Sequence, residues 1–487
     1  MTRARATDHL QTTASAARRW SAFAVLLVGA FLPPLDFFIV NVALPSIQSS
    51  LQTSAAELQL VISGYAAAYA VFLITGGRLG DLFGRRKIFL FGISGFGLTS
   101  VMCGLATSPA WLIVGRMLQG LSAAAMAPQG LASIHALFPE QERARALGLY
   151  GAAVGLAAVA AQALGGALIS ADFLHLEWRI IFLINLPIVV AVLVLGFPLL
   201  PDVRGDDPAP IDKIGMLLCA LTLALLIVPL VEGREFGWPW WAYAMLAASL
   251  LAGVCFWKYE MGYARRGGVS LISVELVEMP GLLSGLIGVL FFYVVSAFFL
   301  VFSVYLQSAI GLGPLETGLV FLPFGVGAFI APLTTPLAIR AFGRFVPAIG
   351  MMLEVIGCVI LAVLVASMPG RMPPTIWLVI AVGLLGFGQG WALPTLVRAI
   401  INRAPASGSG MIAGITNSAL QISAALGVAV MGGIFFTVAG VSPDSASMAK
   451  ALAAAMLCVA ASLSVSAVIS IVASRPSRLI LPPLATG

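Results

Sequence analysis

The chain has 487 residues and a mass of 50.6 kDa, of which 60% are hydrophobic and only 9% charged, and its mean hydropathy is +1.04. A soluble globular protein carries ~25% charged residues. The composition therefore excludes a soluble enzyme, a disordered chain and a disulfide scaffold, and it predicts a protein whose main solvent is lipid.

The N-terminal end is polar and basic, and the formal net charge of the whole chain is +6. The apolar run that follows residue 20 is too long for the core of a signal peptide. We therefore expect 1–20 to be a cytoplasmic segment and the run to be a retained first span. The basic charge is better explained by membrane topology than by nucleic-acid binding, because loop Lys and Arg fix orientation.

Apolar segments long enough to cross a membrane follow one another along the chain. A transmembrane helix needs ~20 such residues, whereas a barrel would show ~10-residue alternating strands. The sequence thus predicts an all-α polytopic membrane protein with fourteen transmembrane helices. They are 21–45, 58–78, 87–107, 110–135, 145–170, 180–200, 212–231, 239–258, 281–307, 315–338, 346–367, 375–397, 409–437 and 450–473.

The basic residues test this span count. With the N-terminus inside, 21 of the 26 Lys and Arg fall in inner segments and four in outer ones, and Arg116 lies within a span. Losing or adding one span would invert every later loop and scramble this bias. The distribution supports fourteen spans with both termini in the cytoplasm.

A short sequence motif occurs twice, once in each half of the chain. The loop between the second and third spans reads GRLGDLFGRRK over 77–87, and Phe-Gly-Arg recurs at 342–344, an offset of 259 residues. A chance Gly-Arg turn is the alternative, but the equivalent loop positions favour a repeat of the kind that builds many transporters. We predict two six-helix bundles with two inserted helices between them: 21–200, 201–280 as the insertion with its linkers, 281–474, and a cytoplasmic tail over 475–487.

The 77–87 loop and LDFFIVNVALP at 35–45 resemble the major facilitator superfamily, specifically its fourteen-span drug:proton antiporters of the EmrB/QacA type. Weaker matches run along nearly the whole chain, including Arg116-Met-Leu-Gln-Gly and the segment around Asn185. One departure stands out, since Ala161-Gln162 occupies the place of an expected Gly-Pro pair. This absence removes a predicted bend, and Gln162 is expected to offer a hydrogen bond instead.

Three ionisable residues inside spans are candidates for proton coupling, because each costs ~2.5–3.5 kcal/mol to insert in lipid. Asp36 and Arg116 are predicted at similar depth in the outer half, and Pro33-Pro34 is expected to disrupt the first helix beside them. A static ion pair that fixes helix packing is the alternative. Glu354 lies near the inner end of its span, where a snorkelling or inner-cavity carboxylate is the alternative to a coupling site.

The inner loop is predicted to be a conformational latch. The resemblance implies that Asp81 sits near the start of a helix from the other half, here at Ser407 to Gly410, because a helix N-terminus attracts an anion. A purely topogenic Arg-Arg-Lys cluster is the alternative. The latch residues are Gly77, Arg78, Gly80, Asp81, Gly84, Arg85 and Arg86.

Aromatic and amide side chains within the spans are candidates for a broad-specificity cavity, since they stack and hydrogen-bond without fixed charge. Ordinary packing is the alternative for each of them. The predicted cavity residues are Asn41, Tyr65, Tyr69, Gln119, Gln162, Phe292, Tyr293, Asn417 and Gln421.

The leading hypothesis is a proton-coupled multidrug efflux antiporter that exports amphipathic organic compounds by alternating access. The alternative is a transporter of the same superfamily dedicated to one metabolite, such as an antibiotic, a siderophore or an amino-acid derivative. An enzyme or ATP-driven pump is disfavoured, because the sequence has no Walker A, HExxH or GxSxG motif and its five cysteines form no CxxC. A channel can be distinguished from a transporter, because steady accumulation of substrate against its gradient would exclude a channel.

These hypotheses carry further expectations about partners and location. We expect no cofactor and no metal, with the proton gradient as the energy source. The partners would be the small organic substrate, protons and the lipid bilayer, with a periplasmic adaptor protein as an optional addition and no nucleic acid. The chain is expected to be a monomer in the bacterial cytoplasmic membrane.

Overall fold

A computed structural model describes residues 16–201, 212–233, 237–266, 268, 281–401, 409–440 and 443–473. Within these ranges every regular element is a helix, as the sequence predicts. The first set, which we call the N-terminal half, comprises α1 Ala16–Leu51, α2 Ala55–Phe83, α3 Arg85–Gly104, α4 Pro109–Leu137, α5 Glu140–Ala171, α6 Ile180–Leu183 and α7 Asn185–Leu199.

Two helices follow, α8 Lys213–Glu232 and α9 Trp240–Arg265. They pack on each other, and α8 also contacts α2 and α16. The C-terminal half comprises α10 Leu282–Phe292, α11 Ala297–Ser308, α12 Pro314–Val320, α13 Leu322–Phe342, α14 Val346–Ser367, α15 Thr375–Ile401, α16 Ser409–Ala439 and α17 Ser445–Ala473.

By length and composition, the described residues contain 12 helical stretches that could cross a membrane. One of them, Pro314–Ser367, is 54 residues long and is interrupted by the 3₁₀ turn Gly343–Phe345. Lys213–Leu226 is a shorter apolar helix. The fold therefore has 12 candidate spans, and the fourteen-span count stays a prediction.

Local sequence signals set the helix starts. The Ser54 hydroxyl accepts from the Glu57 backbone N–H at 3.2 Å, and the Glu57 carboxylate accepts from the Ser54 N–H at 2.8 Å. This reciprocal pair satisfies two donors that a helix start leaves unpaired. Ser108 caps α4 through the Trp111 N–H at 3.3 Å, with Pro109 in the first helical position, where its missing N–H costs nothing.

The expected break in the first helix is wrong. Helix α1 runs continuously from Ala16 to Leu51 with Pro33, Pro34 and Pro45 inside it. Prolines are tolerated in membrane helices when neighbouring helices supply the missing contacts. Here the Tyr65 hydroxyl, from α2, donates to the Pro33 carbonyl at 3.1 Å.

The two halves meet along several helix pairs, including α1 with α11, α2 with α16, and α5 with both α12 and α13. The Ser303 hydroxyl donates to the Asn41 carbonyl at 3.0 Å, and the Gln307 amide donates to the Val42 carbonyl at 2.9 Å. The Leu315 N–H donates to the Ser170 hydroxyl at 3.2 Å. These contacts join the halves at the end of the bundle that the basic-residue bias assigns to the outside.

Candidate functional site

Asp36 and Arg116 form a buried ion pair between α1 and α4. The Arg116 Nη1 group donates to Asp36 Oδ2, and the two residues are 1% and 0% exposed. The structure thus brings together the two charged residues that the sequence placed at similar depth. Both lie within the N-terminal half, enclosed by protein on every side.

Two amide side chains complete the cage around the carboxylate. The Gln119 Nε2 group donates to Asp36 Oδ1 at 3.0 Å, and Asn185 Nδ2 donates to the same oxygen at 2.8 Å. Both amides also donate to the Ser100 hydroxyl, at 2.9 and 3.3 Å. Helices α1, α3, α4 and α7 therefore converge on one acid, and each carboxylate oxygen has a donor.

The guanidinium of Arg116 is held from several sides as well. Its Nε donates to the Val61 carbonyl at 3.0 Å, and its Nη1 also donates to Gln119 Oε1 at 2.8 Å. The group lies 4.2 Å from the centre of the Tyr65 ring, within cation–π range. Among the described residues its Nη2 atom has no hydrogen-bond partner. The site therefore keeps one spare donor beside the acid.

This arrangement is sensitive to a single proton. Two charges buried in low dielectric are tolerated only as a well-bonded pair, and removal of one partner costs about 3–5 kcal/mol. A proton on Asp36 cancels its charge and leaves Arg116 without a counter-ion.

Sequence reasoning missed two members of this cluster, Ser100 and Asn185. The sequence marks Asn185 only as part of a segment of family resemblance at the start of the sixth span. The available signal was its amide within the apolar run Ile180 to Leu200. Gln119, which was predicted to line the substrate cavity, is placed by the structure in this charge cluster.

A second group of polar and aromatic side chains lies where the halves meet. The Tyr69 side chain shares a hydrogen bond with that of Asn417 on α16, and Tyr150 of α5 and Tyr293 of the 3₁₀ turn after α10 lie near enough to it for an electrostatic interaction. The Tyr69 ring lies 6.1 Å from that of Tyr65. Tyr69, Tyr293 and Asn417 belong to the predicted cavity, whereas the sequence did not predict Tyr150 as a member.

The other predicted cavity residues are distributed around this group. Gln162 is fully buried on α5 and its Nε2 donates to the Phe38 carbonyl of α1 at 3.0 Å. Asn41 donates to the same carbonyl at 3.1 Å. Phe292 is buried beside Tyr293, with ring centres 6.2 Å apart, and Gln421 lies one turn along α16 from Asn417.

Glu354 lies apart from both groups, in the C-terminal half. It is fully buried on α14, and a Cβ on Gly388 of α15 would lie 2.7 Å from its Cγ. Neither carboxyl oxygen has a hydrogen-bond partner among the described residues. An unpaired carboxylate is costly in such a place, which favours the neutral acid.

The predicted latch lies at the junction of α2 and α3. Gly84, with φ 97°, makes the turn between the two helices. Arg85 donates to the Ala132 carbonyl at 2.6 Å, and Arg86 donates to the Phe197 carbonyl, so both bind helices of their own half. Gly77, Arg78, Gly80 and Asp81 are in the last turns of α2, and the side chains of Arg78 and Asp81 lie outside the described part of the structure, as do residues 407 and 408.

Metal chemistry has no visible basis in the part of the chain that the structure describes. It contains no group of three or more His, Cys, Asp or Glu side chains that could hold an ion. All five cysteines are free thiols.

Comparisons with known proteins show the family to which the chain is similar. Residues 26–428 match the family model described as Major Facilitator Superfamily. The chain is 36% identical over 427 residues to a probable actinorhodin transporter of Streptomyces coelicolor, a match that covers 87% of this chain and 74% of the other. It is 31% identical over 416 residues to the multidrug resistance protein Stp of Mycobacterium tuberculosis, covering 84% and 74% of the two chains.

Among solved structures, an inward-facing bacterial homologue of the human lysosomal transporter Spinster matches with a TM-score of 0.67. That match covers 95% of this chain and 98% of the other at 18% sequence identity. At this level of identity the similarity shows the fold alone.

Proposed function

The chain belongs to the Major Facilitator Superfamily, and on that basis we propose that it is a proton-coupled multidrug efflux antiporter of the EmrB/QacA type. Membership makes it a membrane transporter and not an enzyme. Similarity to an antibiotic transporter and to a multidrug resistance protein supports drug or antibiotic efflux. The observation that carries proton coupling is the enclosed ion pair of Asp36 and Arg116.

In the proposed cycle, Asp36 binds a proton from the outside and releases it inside. When the carboxylate is charged, Arg116, Gln119 and Asn185 hold it in its cage. When it is protonated, Arg116 loses its counter-ion and is free to shift. Because Arg116 stacks on Tyr65, and Tyr65 neighbours Tyr69, such a shift reaches the group of side chains between the halves.

That group is the proposed substrate cavity. Tyr69, Tyr150, Tyr293 and Asn417 offer aromatic faces and hydrogen bonds, which suit amphipathic compounds of varied shape. Their origin in both halves suits alternating access, because rocking of the halves would open the group to one side at a time. The remaining predicted cavity residues, Asn41, Gln162, Phe292 and Gln421, would shape its edges.

Glu354 is proposed as a second proton-coupling site. Its burial without a partner makes the neutral acid the stable form in the described state, and a change in helix packing would be needed to ionise it. The Glu354→Gln variant keeps the shape of the neutral acid but can no longer bind and release a proton. We expect it to fold normally, and reduced proton-driven efflux would support the coupling role.

The proposed topology has fourteen spans, in two six-helix bundles with α8 and α9 inserted. Two features support it: the Gly343–Phe345 turn divides the 54-residue stretch, and α8 is apolar and packs against α9. Both termini would be cytoplasmic, in the inner membrane of a bacterium. The 77–86 latch, with Asp81 at the start of α16, would then close the inner side.

The proposed function is tested by efflux in inside-out vesicles that carry wild type, Asp36→Asn or Asp172→Asn. Asp172 is an exposed control acid, and the Glu177 backbone N–H and the His175 side chain hold its pKa below the ordinary value, so it stays charged during the assay. Wild type and Asp172→Asn should accumulate dye or drug until the proton gradient is collapsed. Full gradient-driven transport by Asp36→Asn would reject the coupling scheme.

The second candidate is a transporter for a single metabolite, favoured by the similarity to a probable actinorhodin transporter. A panel of unrelated compounds separates the two functions. Transport of several chemically unrelated compounds supports the multidrug function, and transport of one compound class alone supports the dedicated one.

A further inference from the structure

A cavity of ≈ 360 Å³ lies in the C-terminal half, where α10 and α14 begin and α15 and α17 end. This volume falls in the range of ~300–1,000 Å³ that small-molecule sites occupy. Much of its wall is aliphatic, formed by Ile339, Leu396, Ile400 and Ile469. The cavity lies far along the chain from the Asp36 cluster and shares no residue with it.

The cavity is also positively charged. Arg344 and Arg398 line it, and its lining residues include no Asp or Glu. Arg398 is exposed in the last turn of α15, and the Arg344 guanidinium lies 5.1 Å from the centre of the Phe345 ring.

The Phe-Gly-Arg motif follows a long helix in each half of the chain. In the first copy, Arg85 donates to the Ala132 carbonyl of the neighbouring helix at 2.6 Å. In the second copy, the corresponding Arg344 borders the cavity. The second motif therefore places a cation at the mouth of an apolar recess, at the end of the spans.

We propose that this cavity binds one anionic phospholipid of the inner leaflet. The phosphodiester would lie between Arg344 and Arg398, and the upper part of one acyl chain would cover Ile339, Leu396 and Ile469. Basic pockets between helices at the cytoplasmic face are suited to anionic headgroups. A free phosphate would satisfy the two arginines but would leave the aliphatic wall uncovered, so the cavity as a whole fits a lipid.

The terminal segment 474–487 is the competing occupant, because it follows Ala473 in the cavity wall. Its sequence carries Arg475 and Arg478. These side chains have the same charge as the cavity, which disfavours the segment relative to an anionic lipid.

The test is native mass spectrometry of the purified full chain, titrated with phosphatidylglycerol or with phosphatidylcholine of identical acyl chains. Wild type should retain one phosphatidylglycerol and should prefer it to phosphatidylcholine by about 25-fold, because each of the two arginines contributes a factor of about five. The Arg344→Gln/Arg398→Gln variant should lose this preference. The charge-preserving Arg344→Lys/Arg398→Lys variant should keep most of it, as should Arg371→Gln, which removes an exposed arginine from the opposite end of the bundle.

Several results would overturn the proposal. They are equal retention of the two lipids by wild type, an undiminished preference in the double Gln variant, or an equal loss in Arg371→Gln. Displacement of the lipid by inorganic phosphate at equal concentration would assign the cavity to a free anion. Lipid binding that appears only after deletion of 474–487 would assign it to the chain's own terminus. Thermal unfolding of each lipid-free variant, expected to match wild type, excludes misfolding as the cause of a loss.

Discussion

The carboxylate of Asp36 receives hydrogen bonds from Arg116, Gln119 and Asn185, which belong to two other helices. Such a network holds the helices together and at the same time makes their packing depend on one charge. A double-mutant cycle of Asp36→Asn and Arg116→Met measures this dependence. Each single variant leaves a buried group without its partner, at a cost of about 3–5 kcal/mol.

The double variant should therefore be more stable than the sum of the single losses predicts, by about 0.5–3 kcal/mol. The measurement is thermal or denaturant unfolding in a fixed detergent. Additive losses would show that the two side chains do not depend on each other in the folded protein.

Asn185 is expected to position Asp36, although it carries no charge itself. The Asn185→Leu change removes a 2.8 Å bond to a charged oxygen, a contact worth ~1.5–3 kcal/mol. Efflux should fall by about tenfold, as expected from the lower end of that range. In the matched control, Thr99→Val, the lost hydroxyl bonds only to the Gly95 and Phe96 carbonyls of its own helix. Equal efflux losses in the two variants would contradict the positioning role.

The charged members of the cluster could be identified from the sequence, whereas their neutral partners could not. Asp36 and Arg116 could be identified because an ionisable group in lipid is rare and costly. Ser100 and Asn185 could not, because Ser and Asn are common in membrane helices and one sequence does not say which helix faces which. Gln119 was recognised as important but was assigned to the cavity for the same reason.

Close approach of α2 and α4 positions the site, and Gly120 permits it. A Cβ at this position would lie 3.0 Å from the Tyr65 carbonyl carbon and 3.2 Å from its Cα. The Gly120→Leu change should force the helices apart, with a destabilisation of at least about 1–3 kcal/mol. It should also separate the Tyr65 ring from Arg116.

The matched control for this change is Gly155→Leu on α5, where a Cβ would meet nothing within 4 Å. Both changes insert the same side chain at a helical glycine. The melting temperature in detergent should fall for Gly120→Leu only. Equal shifts in the two variants would show that loss of glycine, and not the α2–α4 contact, is responsible.

Helix existence was predictable and helix continuity was not. Long apolar runs identified the spans, but the 281–307 span contains a 3₁₀ turn at Tyr293–Ser296, for which the sequence offers no proline or glycine signal. Conversely, Pro33 and Pro34 do not interrupt α1, because local propensity yields to burial among other helices. Interactions between helices decide both cases.

At the scale of the whole molecule, the fourteen-span topology predicts opposite sides for two loops. Single cysteines placed at Asp207 and Glu235, in a chain whose five native cysteines are replaced, would flank α8. An impermeant maleimide on intact cells should label position 235 and reach position 207 only after permeabilisation. Labelling of both positions on intact cells would mean that α8 does not span the membrane.

The Phe-Gly-Arg repeat predicted two six-helix bundles, and that division of the chain stays a prediction. The contacts between the halves could not be predicted. Ser303, Gln307 and Leu315 bond to backbone or hydroxyl groups of the N-terminal half, and such bonds leave no pattern in a sequence. These contacts would have to break when the outer side opens.

Proton release on substrate binding tests the central claim most directly. The purified protein is first brought to a pH at which it has bound the proton in the absence of substrate; a saturating substrate is then added in weakly buffered solution, and the pH change is recorded. Wild type and Asp172→Asn should release a proton when substrate binds. Asp36→Asn should bind substrate without releasing this proton. Equal proton release by Asp36→Asn, or substrate binding by wild type without any release, would contradict the account.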